Sequence, residues 1–319
     1  MMMRPNITYP FRCWAWCLVV PMVLLSCAGE ADDAGAAAQS ADPGPKTLPG
    51  TDADWAIMQE QARWAYANGL DSLPIGQVVA RIGQQFVGTP YAPHTLEVAG
   101  VESLVIELQE LDCVTFVENV LALARFVRSV PESMLDDQMG RHRDYYSGIL
   151  ANLRYRDGNL DGYPTRLHYF SEWISDKDTR GLVRHLSPEW GGVPDEEPIN
   201  FMTTHPDAYR QLGEDPAFLP ALQDIEARLS SQPRHYVPQE RIAEVADQIQ
   251  DGDLIAATST VAGLDVAHTG IALWKEGQLH LLHAPLVDGV VEVSEVSLAD
   301  RIQRIRGQDG IMVARPLDP

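Results

Sequence analysis

Apolar residues recur every three or four positions in three stretches of the first half of the chain, and this spacing predicts three helices. The helices are predicted over residues 52–68, about 74–86 and about 113–130. Their apolar stripes consist of Trp55, Met58, Ala62, Ala65, Ile75, Val78, Val79, Ile82, Phe86, Val117, Val120, Leu121, Ala124 and Val127. Pro131 ends the third helix, because proline has no N–H with which to continue the hydrogen-bond ladder.

After residue 250 the pattern changes to short apolar runs bounded by turn residues, which predicts an antiparallel sheet. The predicted strands are residues 253–256, 266–274, 278–284, 290–293 and 311–314. The stretch 131–250 is mixed in character and rich in proline and aromatic residues, so we interpret it as a loop-rich insertion. The predicted fold class is α+β, with the third helix packed on the sheet and the first two helices as N-terminal additions.

The turn at residues 275–278 allows the pairing of two strands to be predicted. If the first and last residues of that turn face each other, His283 faces Gly270, and His268 lies two residues further along on the same face. His268 and His283 are then diagonal neighbours, whereas His280 points to the opposite face. A slip of one residue in the hairpin would move one histidine away from the other.

The N-terminus has the features of an export signal. A basic start with Arg4 and Arg12 precedes a short apolar run, residues 13–25, which is too short to span a membrane. The ending Leu24-Leu25-Ser26-Cys27 resembles a bacterial lipoprotein signal, in which the cysteine is lipidated and becomes the first residue. We therefore expect an exported protein, lipid-anchored through Cys27 and facing the periplasm from the outer membrane.

This interpretation divides the chain into three parts. Residues 1–26 are the signal peptide, and residues 27–50 are the lipidated cysteine and a disordered linker rich in Ala, Gly, Asp and Pro. Residues 51–319 are one domain that contains the insertion at about 131–250.

The charge balance excludes some partners. The chain has 24 basic and 45 acidic side chains, and loss of the two arginines of the signal makes the mature side-chain charge −23. Such an acidic protein is not expected to bind nucleic acid, or to contact anionic lipid except through its anchor. We expect a monomer.

Cys113 is the candidate nucleophile. The signal removes two of the four cysteines and lipid blocks Cys27, so Cys113 has no partner for an intramolecular disulfide. Asp112 is a suitable N-cap, which places Cys113 in the first turn of the third helix, where the positive end of the helix favours thiolate. Two alternatives stay open: Cys113 is a buried, inert residue, or a capping box formed by Thr115 and Glu118 starts the helix later.

A thiol at a helix start and a histidine on a strand are the parts of a cysteine nucleophile and its base. His268 is the candidate base and His283 the residue that orients it. The Cys113 N–H and a second donor, for which Tyr91 is the candidate, would stabilise the oxyanion. The remaining histidines show no metal-ligand spacing and there is no phosphate loop or dinucleotide fingerprint, so neither a metal nor a cofactor is expected.

Five arginines within 26 residues form a basic island in this acidic chain. They are Arg141, Arg143, Arg154, Arg156 and Arg166. One interpretation is a set of ordinary surface salt bridges. The other is a wall that binds substrate carboxylates and sugars through paired guanidinium donors.

Several short motifs resemble those of a known family. In order, they are Gly88-x-x-Tyr91, Asp112-Cys113, Gly252-Asp253, His268-Thr269-Gly270-Ile271 and Leu282-His283-Ala284. This order resembles that of the NlpC-type cysteine peptidases, papain-like hydrolases of the bacterial cell wall. Residues 111–118 and 163–174 look like one branch of that family, which contains N-acetylmuramoyl-L-alanine amidases. The likeness spans about residues 55–317, although Tyr91 and Cys113 lack the Gly-Gly and the Ser-Gly that usually follow them in the wider family.

The resemblance implies a papain-like core with catalytic Cys113, base His268 and orienting His283, and with Tyr91 at the border of the oxyanion site. It also implies hydrolysis of the amide between the lactyl group of muramic acid and L-alanine, with peptidoglycan fragments as partners. Further candidates for oxyanion or substrate contacts are Asp112, Glu118, Arg166, His168, Tyr169 and Trp173. The alternative for these residues is that Glu118 caps the helix and the residues from Arg166 to Trp173 pack in the core.

Three other functions compete with the amidase. An endopeptidase that cuts inside the stem peptide and an acyltransferase would use the same chemistry. A non-catalytic lipoprotein that binds muropeptides is the rival of a different class. The joint presence of Cys113, His268 and His283 argues against the silent binder, which has no need of all three.

Overall fold

The computed structural model describes residues 49–287 and 289–319. The predicted signal peptide, Cys27 and nearly all of the predicted linker lie outside the described residues, so these assignments stay predictions. None of the helices in the described ranges combines the length and the apolar character that crossing a membrane requires.

Two helices precede the candidate nucleophile, as predicted. Helix α1 spans Asp52–Ala67 and begins at a capping box, in which Thr51 and Asp54 bond to each other's backbone N–H. Helix α2 spans Ile75–Gln85. The apolar stripes predicted for both helices are buried, which confirms the predicted faces, and the predicted bounds agree with the observed ones to within one residue.

Helix α3, Cys113–Ser129, lies at the centre of the molecule. Asp112 is its N-cap, and it ends before Pro131 as predicted. From Thr115 to Val127 nearly every side chain is buried, because α3 packs against α1, α2, the sheet and a fourth helix, α4, Arg141–Arg154. Because the helix is buried on all sides, its first turn, which contains Cys113, is held in a fixed position.

The sheet is antiparallel and contains the five strands predicted for the C-terminal part. Its strands are β1 Val183–His185, β2 Val193–Asp195, β3 Arg234–Pro238, β4 Leu254–Ser259, β5 Val266–Lys275, β6 Gln278–His283, β7 Glu292–Val293 and β8 Gln308–Pro316. The order is β2-β3-β8-β4-β5-β6-β7, and β1 also pairs with β8. Fold class α+β is therefore confirmed.

The stretch 131–250 contains more regular structure than its sequence indicates. Besides α4 and strands β1 to β3, it contains five further α-helices and several 3-10 turns. They are α5 Phe170–Thr179, α6 Phe201–Thr204, α7 Arg210–Glu214, α8 Leu219–Ser231 and α9 Ile242–Val245. Most of these elements are too short to show a clear apolar period, which explains why the sequence pattern resembles loops.

Both faces of the sheet are buried. Along β4, Leu254 and Ala256 pack against the helices of the N-terminal half, whereas Ile255 and Ala257 face a second apolar cluster. Helix α10, Leu298–Arg304, contributes to that second cluster. The strands thus occupy the middle layer, and residues of opposite parity on β5 and β6 face different helices.

Candidate active site

The start of α3 is fixed by a cap that places Cys113 first in the helix. The Asp112 carboxylate accepts hydrogen bonds from the N–H groups of Val114 at 3.0 Å and Thr115 at 2.7 Å. In return, the Thr115 hydroxyl oxygen accepts the Asp112 N–H at 2.9 Å. The capping box therefore consists of Asp112 and Thr115, and the alternative box formed by Thr115 and Glu118 is wrong.

Strand β5 holds the helix start through Thr269. The Thr269 hydroxyl donates a hydrogen bond to the Cys113 carbonyl oxygen at 2.7 Å. Thr269 also lowers the pKa of the Cys113 thiol, against the larger opposing effects of burial and Asp112. Cys113 is partly exposed and forms no disulfide within the described residues. The start of α3 thus lies against β5 at the residue that follows His268.

The two predicted histidines meet. Strands β5 and β6 pair with Lys275 opposite Gln278, which is the register that the sequence predicted. His268 Nε2 lies 2.9 Å from His283 Nδ1, and the two rings are nearly perpendicular, at 88°. The prediction that they are diagonal neighbours is confirmed.

His280 lies elsewhere, also as predicted. It pairs with Leu273, on the opposite face of the sheet from His268 and His283, and its Nδ1 is 2.8 Å from the carbonyl oxygen of Ser294. A buried imidazole with a main-chain partner is a structural residue, so the sheet separates His280 from the histidine pair.

Two charged residues that the sequence analysis missed lie near the pair. Glu292 on β7 pairs directly with His283, and its Oε1 is 3.7 Å from His283 Nε2. Arg301 on α10 lies close enough for its positive charge to lower the pKa values of His268 and His283. Eight residues separate β6 from β7, and although they include the turn dipeptide Asp288-Gly289, a connection of that length fixes no register from which to place Glu292.

Both partners of the predicted thiol–imidazole pair are neutral at physiological pH. Burial and the neighbouring Asp112 carboxylate raise the pKa of the Cys113 thiol to about 11. Burial and Arg301 lower the pKa of His268 to about 3, and burial with His268 and Arg301 lowers that of His283 to about 2. The expectation of a depressed thiol pKa is not met, because burial, and after it the charge of the capping carboxylate, outweigh the positive end of the helix.

Tyr91 lies beside the helix start. Its N–H donates to the carbonyl oxygen of Gly289 at 2.8 Å, and it forms a parallel bridge with Leu111, next to the Asp112 cap. Burial and the charges of Cys113 and Asp112 raise the pKa of Tyr91 to about 12. Its hydroxyl therefore stays protonated and remains a hydrogen-bond donor near the thiol.

Every arginine of the basic island forms an ion pair within the protein: the pairs of Arg154 and Arg166 are buried, whereas those of Arg141 and Arg143 lie at the surface. Arg154 Nε lies 2.7 Å from Glu118 Oε2, and both side chains are 2% exposed. Arg166 lies 2.6 Å from Glu97 and 3.7 Å from Glu102. The other pairs are Arg141 with Asp137, Arg143 with Asp52 and Arg156 with Glu172. The guanidinium groups of Arg154 and Arg166 are buried and paired within the protein, which favours a structural role for them and for Glu118 over the predicted substrate contacts.

The aromatic candidates in this part of the chain are packing residues. The His168 ring contacts the Tyr163 ring at a tilt of 50°, and its Nε2 is 2.9 Å from the carbonyl oxygen of Tyr163. The Tyr169 hydroxyl donates to Glu226 at 2.7 Å, and Trp173 is completely buried. These contacts hold α5 against the elements around it, which favours the interpretation that these residues pack in the core.

Metal binding is not indicated by the described part of the chain. Among residues 49–287 and 289–319, no group of three His, Cys, Asp or Glu side chains is arranged to hold a metal ion.

A thiol at a helix start, held against the strand that carries one histidine of a hydrogen-bonded pair, supplies the groups that acyl-transfer hydrolases use. The family model of N-acetylmuramoyl-L-alanine amidase-like proteins, AmiA-like, matches residues 81–311. The chain therefore belongs to this family. It is the branch whose motifs the sequence resembled, so that prediction is confirmed. No curated protein sequence matches the chain.

Solved structures agree with the family. The crystal structure of an N-acetylmuramoyl-L-alanine amidase from Bacteroides uniformis is 35% identical, with a TM-score of 0.70, and the match covers 76% of this chain and 99% of that chain. A Bacteroides fragilis protein described as a candidate xylanase is 37% identical, with a TM-score of 0.66 and coverage of 73% and 98%. A Legionella pneumophila protein at 20% identity, a TM-score of 0.57 and coverage of 83% and 98% shows likeness of fold alone.

Proposed function

We propose that this protein is an N-acetylmuramoyl-L-alanine amidase that cleaves the lactyl-L-alanine amide of peptidoglycan fragments, with Cys113 as the nucleophile. The observation that carries the proposal is the position of Cys113 at the capped start of α3, against Thr269, the residue that follows His268 on β5. His268 in turn forms the 2.9 Å pair with His283. The family and the B. uniformis amidase support the choice of bond.

The reaction begins with proton transfer between neutral partners. His268 uses Nε2 for His283, so Nδ1 is the nitrogen that takes the thiol proton as the sulfur attacks the lactyl carbonyl carbon. The thiol is not ionised beforehand, since burial and Asp112 raise its pKa. Proton abstraction and attack on the carbonyl are therefore coupled, as in serine hydrolases.

The tetrahedral intermediate carries its negative charge on the former carbonyl oxygen. The Cys113 N–H, at the helix start, and the Tyr91 hydroxyl are the donors proposed to stabilise it. Collapse breaks the carbon–nitrogen bond, and the protonated His268 returns its proton to the leaving amine of L-alanine. Water, activated by the same histidine, then hydrolyses the thioester and releases the lactyl carboxylate.

Mass analysis of muropeptide digests tests the proposal. Residues 51–319 are incubated with purified disaccharide-peptides, and the products are identified by mass. The expected products are a glycan with a free lactyl carboxylate and a peptide with free N-terminal L-alanine. A Cys113→Ala variant should give neither.

The same digest separates the competing functions. Fragments cut inside the stem peptide would indicate an endopeptidase, and a ligated peptide would indicate an acyltransferase. Binding of intact muropeptide without any product would indicate a silent binder. A cut between the sugars is not expected, because glycosidases use a pair of carboxylates and the proposed site is built from a thiol and two histidines.

The lipid anchor and location are part of the proposal. The mature protein begins at lipidated Cys27 and is held at the outer membrane, facing the periplasm, in a Gram-negative cell. The support is the Leu24-Leu25-Ser26-Cys27 ending and the polar linker behind it. Mass spectrometry of the mature N-terminus tests this, and a start at another residue without lipid on Cys27 would refute it. We also expect a monomer, which light scattering on the soluble domain checks.

A further inference from the structure

Glu292 faces the outer end of the histidine pair. It is the direct strand partner of His283, so the two side chains share one face of the sheet. Its Oε1 lies 3.7 Å from His283 Nε2, and its side chain is 32% exposed whereas that of His283 is 2% exposed. Within the described residues, His283 Nε2 has no hydrogen-bond partner. The Glu292 carboxylate therefore places a negative charge close to the buried Nε2 of His283.

The hydrogen bond between the histidines allows two arrangements of protons. In one, His268 carries its proton on Nε2 and donates to His283 Nδ1, and His283 carries its own proton on Nε2. In the other, His283 carries its proton on Nδ1 and donates to His268 Nε2, which leaves the His268 proton on Nδ1. Only the first arrangement leaves His268 Nδ1 free to accept the thiol proton.

A negative charge near His283 Nε2 distinguishes these arrangements. An N–H pointing at a carboxylate is stabilised, whereas a lone pair pointing at it is repelled. We propose that Glu292 is a positioning residue that fixes His283 as the Nε2–H tautomer, so that His283 fixes His268 as the tautomer able to act on Cys113. The role of His268 as base rests on the proposed function, but the assignment of the tautomers does not.

The groups around the pair are consistent with this role. Arg301 on α10 places a positive charge near both rings, and burial also disfavours a charged imidazole, so the pair stays neutral. In a neutral pair, Glu292 does not add a proton but selects which nitrogen carries it. At 3.7 Å the contact exceeds an ordinary hydrogen bond, and the influence of Glu292 is mainly that of its charge.

The test replaces the charge and reads the tautomers directly. Glu292→Gln keeps the shape of the side chain, Glu292→Asp keeps its charge, and Glu295→Gln removes an exposed carboxylate three residues further along the chain as the matched control. Nitrogen-15 spectra of histidine-labelled protein report which ring nitrogens carry protons, and the His268→Ala and His283→Ala variants assign the signals. Steady-state kinetics on the muropeptide give kcat and KM separately.

The expected result is a change in tautomer together with a change in kcat. The unaltered protein and Glu295→Gln should show His268 and His283 both protonated at Nε2. Glu292→Gln should populate the second arrangement and lower kcat about 10-fold at unchanged KM, at the low end of losses for residues that act through another. Glu292→Asp should partly restore both the original tautomers and the original kcat.

Other outcomes overturn the inference. Unchanged tautomers in Glu292→Gln would refute it whatever happens to the rate, and a change in KM alone would make Glu292 a substrate contact instead. If the unaltered protein cleaves no lactyl-L-alanine amide, the proposed function fails. The spectra, which need no substrate, still decide whether Glu292 sets the tautomers.

Discussion

The Asp112 carboxylate acts on Cys113 in two opposing ways. It holds the first turn of α3 by accepting the N–H groups of Val114 and Thr115, which places the thiol at the helix start. It also brings a negative charge next to that thiol, and this charge and burial raise the pKa of Cys113 to about 11. The residue that positions the nucleophile thus keeps it protonated until a base removes the proton.

Replacing Asp112 by Asn should separate these two effects. Asparagine is as good an N-cap as aspartate, so the helix should keep its start and the free energy of unfolding should change little. The charge is lost, so the pKa of the Cys113 thiol should fall from about 11. The rate of iodoacetamide labelling against pH measures this: its midpoint should move to lower pH in the variant.

Two further variants serve as controls for this prediction. Asp215→Asn alters an exposed aspartate that caps another, shorter helix, and it should leave the labelling midpoint in place. Asp112→Ala removes cap and charge together, and it should also destabilise the protein by about 1 kcal/mol. An unchanged midpoint in Asp112→Asn would show that burial alone holds the thiol pKa high.

The histidine pair gives the second prediction. His268→Ala should abolish most of the activity, because the variant has no base for the thiol proton. His283→Ala should lower the rate roughly 10- to 1000-fold, less than the about 10,000-fold loss of an orienting acid in serine triads, since a neutral imidazole holds its neighbour less firmly. His280→Gln, on the opposite face of the sheet, should retain the activity of the folded protein. The assay is cleavage of muropeptides after circular dichroism has shown each variant to be folded.

A reversed ranking would count against the assignment of roles. If His280→Gln were the inactive variant and His283→Ala nearly normal, the observed hydrogen bond between His268 and His283 would have no catalytic role.

The parts of the site that sequence predicted correctly depend on short-range rules. Asp112 caps α3 within three residues of its partner Thr115, and the helix period follows from local spacing. The turn at 275–278 is tight enough to fix the register of β5 and β6, and that register alone brings His268 to His283.

The parts that sequence predicted wrongly or missed depend on partners distant in the chain. Arg166 meets Glu97, and Arg154 meets Glu118, across separations of 69 and 36 residues. No local sequence pattern indicates such pairs. The composition of the basic island therefore resembles that of a binding surface, although in the folded protein its arginines are paired with acidic residues. Glu292 was missed for the same reason, since it reaches His283 through a connection without a fixed turn.

Arg166 gives a prediction opposite to the one expected of a substrate-binding arginine. Arg166→Lys keeps the charge but loses the planar group that bonds to Glu97 and to the carbonyl oxygen of Leu96. Because this group is buried, we expect the free energy of unfolding to fall by about 1–3 kcal/mol. Urea denaturation measures the change.

The exposed pair of Arg141 and Asp137 provides the control. Arg141→Lys should change the free energy of unfolding by no more than about 0.5 kcal/mol, as is usual for surface ion pairs. A fully stable Arg166→Lys variant with a raised KM would restore the view that this arginine binds substrate.

The last prediction concerns the acid side of the pH profile. Burial and Arg301 lower the pKa of His268 to about 3, so its imidazole stays neutral, and able to act as a base, in mildly acidic solution. The rate should fall only as pH drops through that lowered pKa, whereas an ordinary imidazole would lose activity near its usual pKa of about 6.5.

Arg301→Gln removes the positive charge that disfavours a second positive charge on the ring, and the pKa of His268 should rise. The acid limb of the kcat/KM profile should therefore move to higher pH in this variant. The same muropeptide is used for every protein, so that titration of the substrate's carboxylates affects all profiles equally. Arg304→Gln, at an exposed arginine on the same helix, should leave the limb where it is. If both variants keep the limb of the unaltered protein, burial alone determines the pKa of the base, and Arg301 has no part in holding it neutral.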